Sequence, residues 1–150
     1  MSYTNLLTHI VFATKERRPF LAERDVRTQV HAYLGGIVRN VRGTAIAIGG
    51  VADHVHLLVL LPPTITIADV VRITKANTSG YIHDRWRPLA NFAWQEKYAA
   101  FSVSRSIAPR VARYIATQEA HHRRTSFGHE LSALLERNGV APDAPAGARG

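Results

Sequence analysis

The run HVHLLVLLPP, residues 54–63, limits the fold of this chain more than any other stretch. Five aliphatic residues in succession, Leu57 to Leu61, stop at Pro62-Pro63. The run is far too short to cross a bilayer, and its short length and proline stop read as a buried strand. Side chains alternate between the two faces of a strand. His54 and His56 therefore share one face, with Val55 on the other. Two imidazoles placed this way can bind one divalent metal through their ring nitrogens. The plainer reading is two histidines hydrogen-bonded at a strand end.

The rest of the pattern builds a fold around that strand. Residues 5–14, NLLTHIVFAT, read as a first strand, followed by the basic turn KERRP. From Glu23 to Arg42, Val26, Val30, Leu34, Ile37, Val38 and Val41 recur at helical spacing, and Gly35-Gly36 marks a weak point or a place of close packing. GTAIAIGGVADHV supplies a second strand, with GGVAD as a turn or bulge before the third. Thr66 to Trp86 reads as a helix with Thr66 as N-cap and Asp69 at capping-box distance. FAWQEKYAAFSVS is a fourth strand or a strand-loop-strand. SIAPRVARYIATQEAHH is a third helix, with Ser106 as N-cap and Ile107, Val111 and Ile115 as its packing stripe. GHELSALLERNG is a short last helix stopped by Asn138-Gly139. The order β-α-β-β-α-β predicts an α+β, ferredoxin-like split βαβ fold: an antiparallel sheet with helices on one face, plus an appended C-terminal helix. Residues 1–140 are expected to form a single domain, and 141–150, APDAPAGARG, a disordered tail.

Composition narrows the chemistry. With no cysteine among 150 residues, disulfides, thiolate metal sites and cysteine nucleophiles are excluded, so a metal must be held by nitrogen and oxygen. The N-terminus lacks the pattern of a signal peptide and no run is long enough for a membrane span, which leads us to expect a soluble, cytoplasmic protein with no membrane partner. The formal charge is +8, and 16 of the 19 basic residues are Arg. Arg forks onto phosphate better than Lys does, so the surplus favours a polyanion such as nucleic acid over a small substrate.

In the third helix Tyr114 and Gln118 are four residues apart and so share a face. Gln118 could offer a carbonyl oxygen to a hard metal, and Tyr114 a phenol nucleophile. Spacing alone favours a tyrosine at the core edge and a solvated glutamine.

The His-hydrophobic-His motif in an apolar strand, followed by Tyr-x-x-x-Gln on a helix, resembles the HUH endonuclease superfamily. More narrowly, HIVFATKERRPFL, GGVADHVHLLV, FAWQEKYAAFSVS and YIATQEAHHRRTSFGHELSALLERNGV, in that order, resemble the single-tyrosine transposases of bacterial insertion sequences, the insertion-sequence 200-like group. The resemblance covers about residues 3–140. It implies that His54, His56 and Gln118 bind a divalent metal, Mg²⁺ or Mn²⁺, and that Tyr114 is the nucleophile. It implies cleavage and rejoining of single-stranded DNA at hairpin-bearing element ends through a 5′-phosphotyrosine, by a homodimer whose sites assemble in cis or in trans. Under that reading Lys15, Arg17 and Arg18 could grip phosphates, and Arg110 and Arg113, beside Tyr114, could contact the scissile strand. Each is equally well an ordinary solvated charge. Trp86, Trp94 and Tyr98 could stack on bases, although aromatics near a strand more often belong to the core, and His121 and His122 are expected to serve a helix end.

Two other readings stay open on sequence alone. One is a domesticated hairpin-binding or nicking protein of the same fold that does not transpose. The other is a hydrolase of small phosphoesters using His54 and His56, which the charge disfavours.

Overall fold

The computed structural model describes residues 2–141. Its elements are β1 (Leu6–Ala13), α1 (Arg24–Asn40), β2 (Thr44–Val51), β3 (His54–Leu61), α2 (Ile67–Arg85), β4 (Ala99–Ser102), α3 (Ala108–Ala116), α4 (Gln118–His121) and α5 (Phe127–Arg137). Short 3-10 turns at Lys15–Arg17 and Arg87–Leu89 link them. The described residues divide into two compact units, one up to Gln118 and one from Glu119 onward. The expected tail lies, from residue 142 on, outside the described residues.

The first unit carries a four-stranded antiparallel sheet in the order β2-β3-β1-β4. This is the split βαβ arrangement, with β1 and β3 in the centre. It arises because β3 is buried along nearly its whole length and must be flanked on both edges, whereas β2 and β4 are mixed in burial and can lie outside. One sheet face carries Ile10, Phe12, Val55, Leu57, Val59 and Leu61. It packs against Val26, Val30, Leu34 and Val38 of α1 and Val70, Val71 and Ile82 of α2. Burying aliphatic side chains of this kind contributes about 1.5–3 kcal/mol each.

Local signals place the two long helices. Thr66 caps α2 by accepting from the Asp69 backbone N–H at 3.1 Å. α1 closes with the Gly43 N–H on the Val38 carbonyl and the Arg42 N–H on the Arg39 carbonyl, leaving Arg42 left-handed at φ 66°. Gly35 and Gly36 do not mark close packing: a Cβ there would meet its nearest neighbours at 3.6 and 3.8 Å, ordinary contact. Lys75 of α2 donates to the carbonyls of Gln95, Glu96 and Lys97, tying the approach to β4. Burial holds its pKa below the usual lysine range, with Glu96 partly opposing the shift.

Several expectations are corrected or narrowed. The long third helix is broken at Thr117, where ψ reaches 23° and the side-chain hydroxyl turns back to the Arg113 and Tyr114 carbonyls. Ser106 is not its N-cap: Ile107 holds that position, and the Ser106 hydroxyl lies 3.1 Å from that of Ser104. Ile107, 41% exposed, therefore leaves the stripe, and Ala108, Val111, Ala112 and Ile115 do the packing. In the fourth-strand region only Ala99–Ser102 is strand, while Trp94 makes an isolated bridge to Thr14. Trp94 is half-buried and packs against the core, edge-on to Phe12 and Phe92 at 4.8 Å.

In the second unit, Ser126 caps α5 and Gly139 ends it at φ 71°. His122 bonds the Thr125 carbonyl and the Glu130 carboxylate at 2.7 and 2.9 Å, and His121 lies 3.6 Å from the same carboxylate. Both histidines face that carboxylate, and His122 also holds a backbone carbonyl.

Candidate active site

The other face of the sheet is built differently. Register pairs Leu7, His9, Val11 and Ala13 of β1 with Leu60, Leu58, His56 and His54 of β3, so all eight side chains point to one side. His54 and His56 are fully buried and His9 is 4% exposed. α3 covers this face, with Ile115 packed against Leu7 and Leu58. The helix can sit this low because β2 presents Gly49, opposite His56. A Cβ at Gly49 would fall 2.2 Å from the Ile115 carbonyl oxygen, an approach that only glycine allows.

That seating brings Tyr114, half-buried, over the histidines. Its ring centroid lies 5.6 Å from that of His56, at right angles, and 6.4 Å from that of His9. Just past the break at Thr117, Gln118 is 1% exposed, and its Oε1 lies 3.2 Å from His54 Nε2. The side chains of His54, His56, Tyr114 and Gln118 thus converge within the first unit.

Each motif histidine is held by its Nδ1. His54 Nδ1 is 2.8 Å from Asp53 Oδ1, and His56 Nδ1 is 2.9 Å from His9 Nε2. A carboxylate can only accept, so His54 carries a proton on Nδ1, and in the neutral ring the Nε2 lone pair then faces Gln118. Two acceptor atoms 3.2 Å apart are favourable when a cation lies between them, and adjacent ligands of an octahedral Mg²⁺ are separated by about 3 Å. The donor set, two imidazoles and an amide oxygen without a thiolate, also fits a borderline-to-hard divalent ion.

Sequence reasoning passed over His9 and Asp53. Asp53 adjoins the motif and could have been flagged as an outer partner. His9 carries a weaker signal, one polar residue on the inward alternation of an apolar strand, and nothing in the sequence sets the β1–β3 register.

The basic residues singled out in the sequence are all exposed. Lys15, Arg17 and Arg18 are exposed, and their turn begins where Ala13 pairs with His54. The Thr14 N–H donates to the Asp53 carbonyl at 2.9 Å, which fixes the turn to the start of the motif strand. Glu16 and Arg17 are both left-handed, at φ 55° and 53°, a conformation that costs roughly 1–2 kcal/mol per residue. Arg110 and Arg113 are exposed on α3.

An α+β sheet with a histidine pair on one face and a tyrosine helix across it defines a class of protein, and comparisons with known proteins place the chain within it. Residues 2–118, the span of the first unit, match the model of the family described as "Transposase IS200 like", and the chain belongs to that family. It is therefore a transposase, an enzyme acting on DNA. Among solved structures, one similar fold is a protein of Deinococcus radiodurans R1 provisionally described as a transposase. It shares 24% identity at a TM-score of 0.65, over 78% of this chain and 93% of that one. Another is a REP-associated tyrosine transposase bound to a REP hairpin, at 16% identity and a TM-score of 0.60, over 81% of this chain and 72% of that one. No curated protein sequence matches. Among the described residues no helix is long and apolar enough to cross a membrane.

Proposed function

We propose that this transposase cleaves and rejoins single-stranded DNA at hairpin-bearing ends, with Tyr114 as nucleophile and His54, His56 and Gln118 as ligands of a divalent metal, Mg²⁺ or Mn²⁺. The observation that carries the reading is the convergence of Tyr114 on His56 and of Gln118 on His54 across a buried sheet face. A relative of this fold bound to a hairpin supports the substrate class.

The cation would offset negative charge on a non-bridging oxygen of the scissile phosphate. The phenol oxygen of Tyr114 attacks phosphorus in line. A Tyr–O–P bond forms, the bond to the 3′ oxygen breaks, the phenol loses its proton, and the 3′ oxygen leaves as a hydroxyl. The enzyme-linked product is a phosphodiester, so a 3′-hydroxyl can attack it, restore a DNA backbone and return the phenol without ATP. Lys15, Arg17 and Arg18 would hold backbone phosphates beside the motif strand, and Arg110 and Arg113 the strand nearest Tyr114. The working form is a homodimer, with the sites assembled within or between subunits.

The test is a denaturing gel of protein with labelled single-stranded hairpin DNA from the flanks of the gene, with Mg²⁺ or with EDTA. A slow, protease-sensitive band should appear with wild type and Mg²⁺ only. Tyr114→Phe should retain hairpin binding while cleavage falls by at least about a thousandfold. Cleavage by Tyr114→Phe at the wild-type rate would exclude the phosphotyrosine.

A further inference from the structure

We propose that His9 is a positioning residue: its Nε2 accepts a hydrogen bond from His56 Nδ1–H and so holds His56 in the tautomer whose Nε2 lone pair can bind a cation. The inference rests on the metal-site reading above.

The observation is a short bond between two buried rings. His9 Nε2 and His56 Nδ1 are 2.9 Å apart, with the rings stacked at a centroid distance of 5.1 Å and 26° between planes. The contact is a diagonal one across the β1–β3 pair: His9 is opposite Leu58, and His56 is opposite Val11, two residues along. One proton lies between the two nitrogens, and its owner decides what His56 can do. If His9 donates, neutral His56 keeps its proton on Nε2 and has no lone pair there. If His56 donates, Nδ1 holds the proton and Nε2 is a ligand. Only the second arrangement serves a metal, and it requires His9 to accept.

The neighbouring histidine shows the same logic with a different acceptor. His54 Nδ1 faces the carboxylate of Asp53, which is 27% exposed at the side chain and can stay solvated. His56 lies further into the sheet, where its partner is 4% exposed. A carboxylate there would be costly to desolvate, whereas a neutral imidazole accepts without adding charge. Packing alone would be met by an aliphatic residue, as at Leu7 on the same face. Loss of an outer partner to a ligating histidine lowers metal affinity by about 10–100-fold.

Two variants of the full chain separate bonding from packing. His9→Gln retains an acceptor oxygen near the position of Nε2, whereas His9→Leu fills the space without one. The readouts are Mn²⁺ affinity by electron paramagnetic resonance and the His56 tautomer by ¹⁵N NMR of the metal-free protein. We expect Nδ1–H at His56 in wild type, Mn²⁺ binding about 10–100-fold weaker in His9→Leu, and near-wild-type binding in His9→Gln. Unchanged Mn²⁺ affinity in His9→Leu would overturn the proposal, as would equal weakening in both variants, since that is a packing effect. A wild-type His56 protonated on Nε2 would overturn it without any variant. If wild type carries Nδ1–H and His9→Leu loses that preference, His9 positions His56 even should no Mn²⁺ bind, and the metal reading alone fails.

Discussion

The two faces of the sheet share four strands and little else. One is sealed by two long helices over aliphatic and aromatic side chains; the other holds three histidines under the nine residues of α3. On the first face, close packing and its stability leave little that chemistry could use. On the second, β1 and β3 give up aliphatic contacts at His9, His54 and His56, and a single short helix restores cover through Ile115, Val111 and two alanines. The lesson is a division of labour through the pleat. Strand residues of one parity hold the sheet rigid, and those of the other inherit fixed directions from it.

Substitutions on the two faces should part stability from activity. The largest stability effect is expected from Leu34→Ala, fully buried in α1 beneath the aliphatic face. It should lower unfolding free energy by about 2–5 kcal/mol in urea titrations, while strand cleavage per folded molecule is retained. Loss of cleavage at a temperature where the variant is fully folded would break the division. Gly49→Ala tests the opposite face. The new methyl must displace the Ile115 backbone, so we expect a smaller stability loss, about 1–3 kcal/mol, with cleavage nearly abolished and hairpin binding kept. Equal losses in the two variants would mean that α3 is as integral to the core as α1. The smallest effect sharpens the contrast from the inert side. Gly36→Ala, inside α1 where a new methyl would meet only the Arg39 side chain at ordinary contact distance, should raise stability by up to about 1 kcal/mol in the same titration and leave cleavage unchanged.

Much of this was legible in the sequence because it is written in local periodicity. The alternation HVH put two imidazoles on one face, the i, i+3, i+4 pattern of α1 named its buried side, and Thr66 marked the start of α2. What was not legible depends on contacts between distant segments. His9 gains meaning only through a register that sets it diagonally across from His56, 47 residues on in the chain. Gly49 read as turn chemistry, because the helix that needs its bare Cα arrives some 65 residues later. The third helix read as continuous because helical spacing runs through Thr117, whose hydroxyl competes for the carbonyls behind it. The convergence of Tyr114 and Gln118 on the histidines was expected from resemblance, and spacing alone pointed the other way.

β2 also tolerates miscounting. Its pairing with β3 slips between Ala45 and Ala47, leaving one extra residue, Ile46, 46% exposed. Downstream of the slip, register is counted from the two-residue turn Ala52-Asp53, which holds Gly49 opposite His56. Upstream it is counted from the end of α1. A strand without slack would have to satisfy both counts together, and a slip of one residue would put Ile48 or Gly50 beneath α3 in place of Gly49. Ile46 is the spare letter that keeps the reading frame of the histidine face independent of the helix before it.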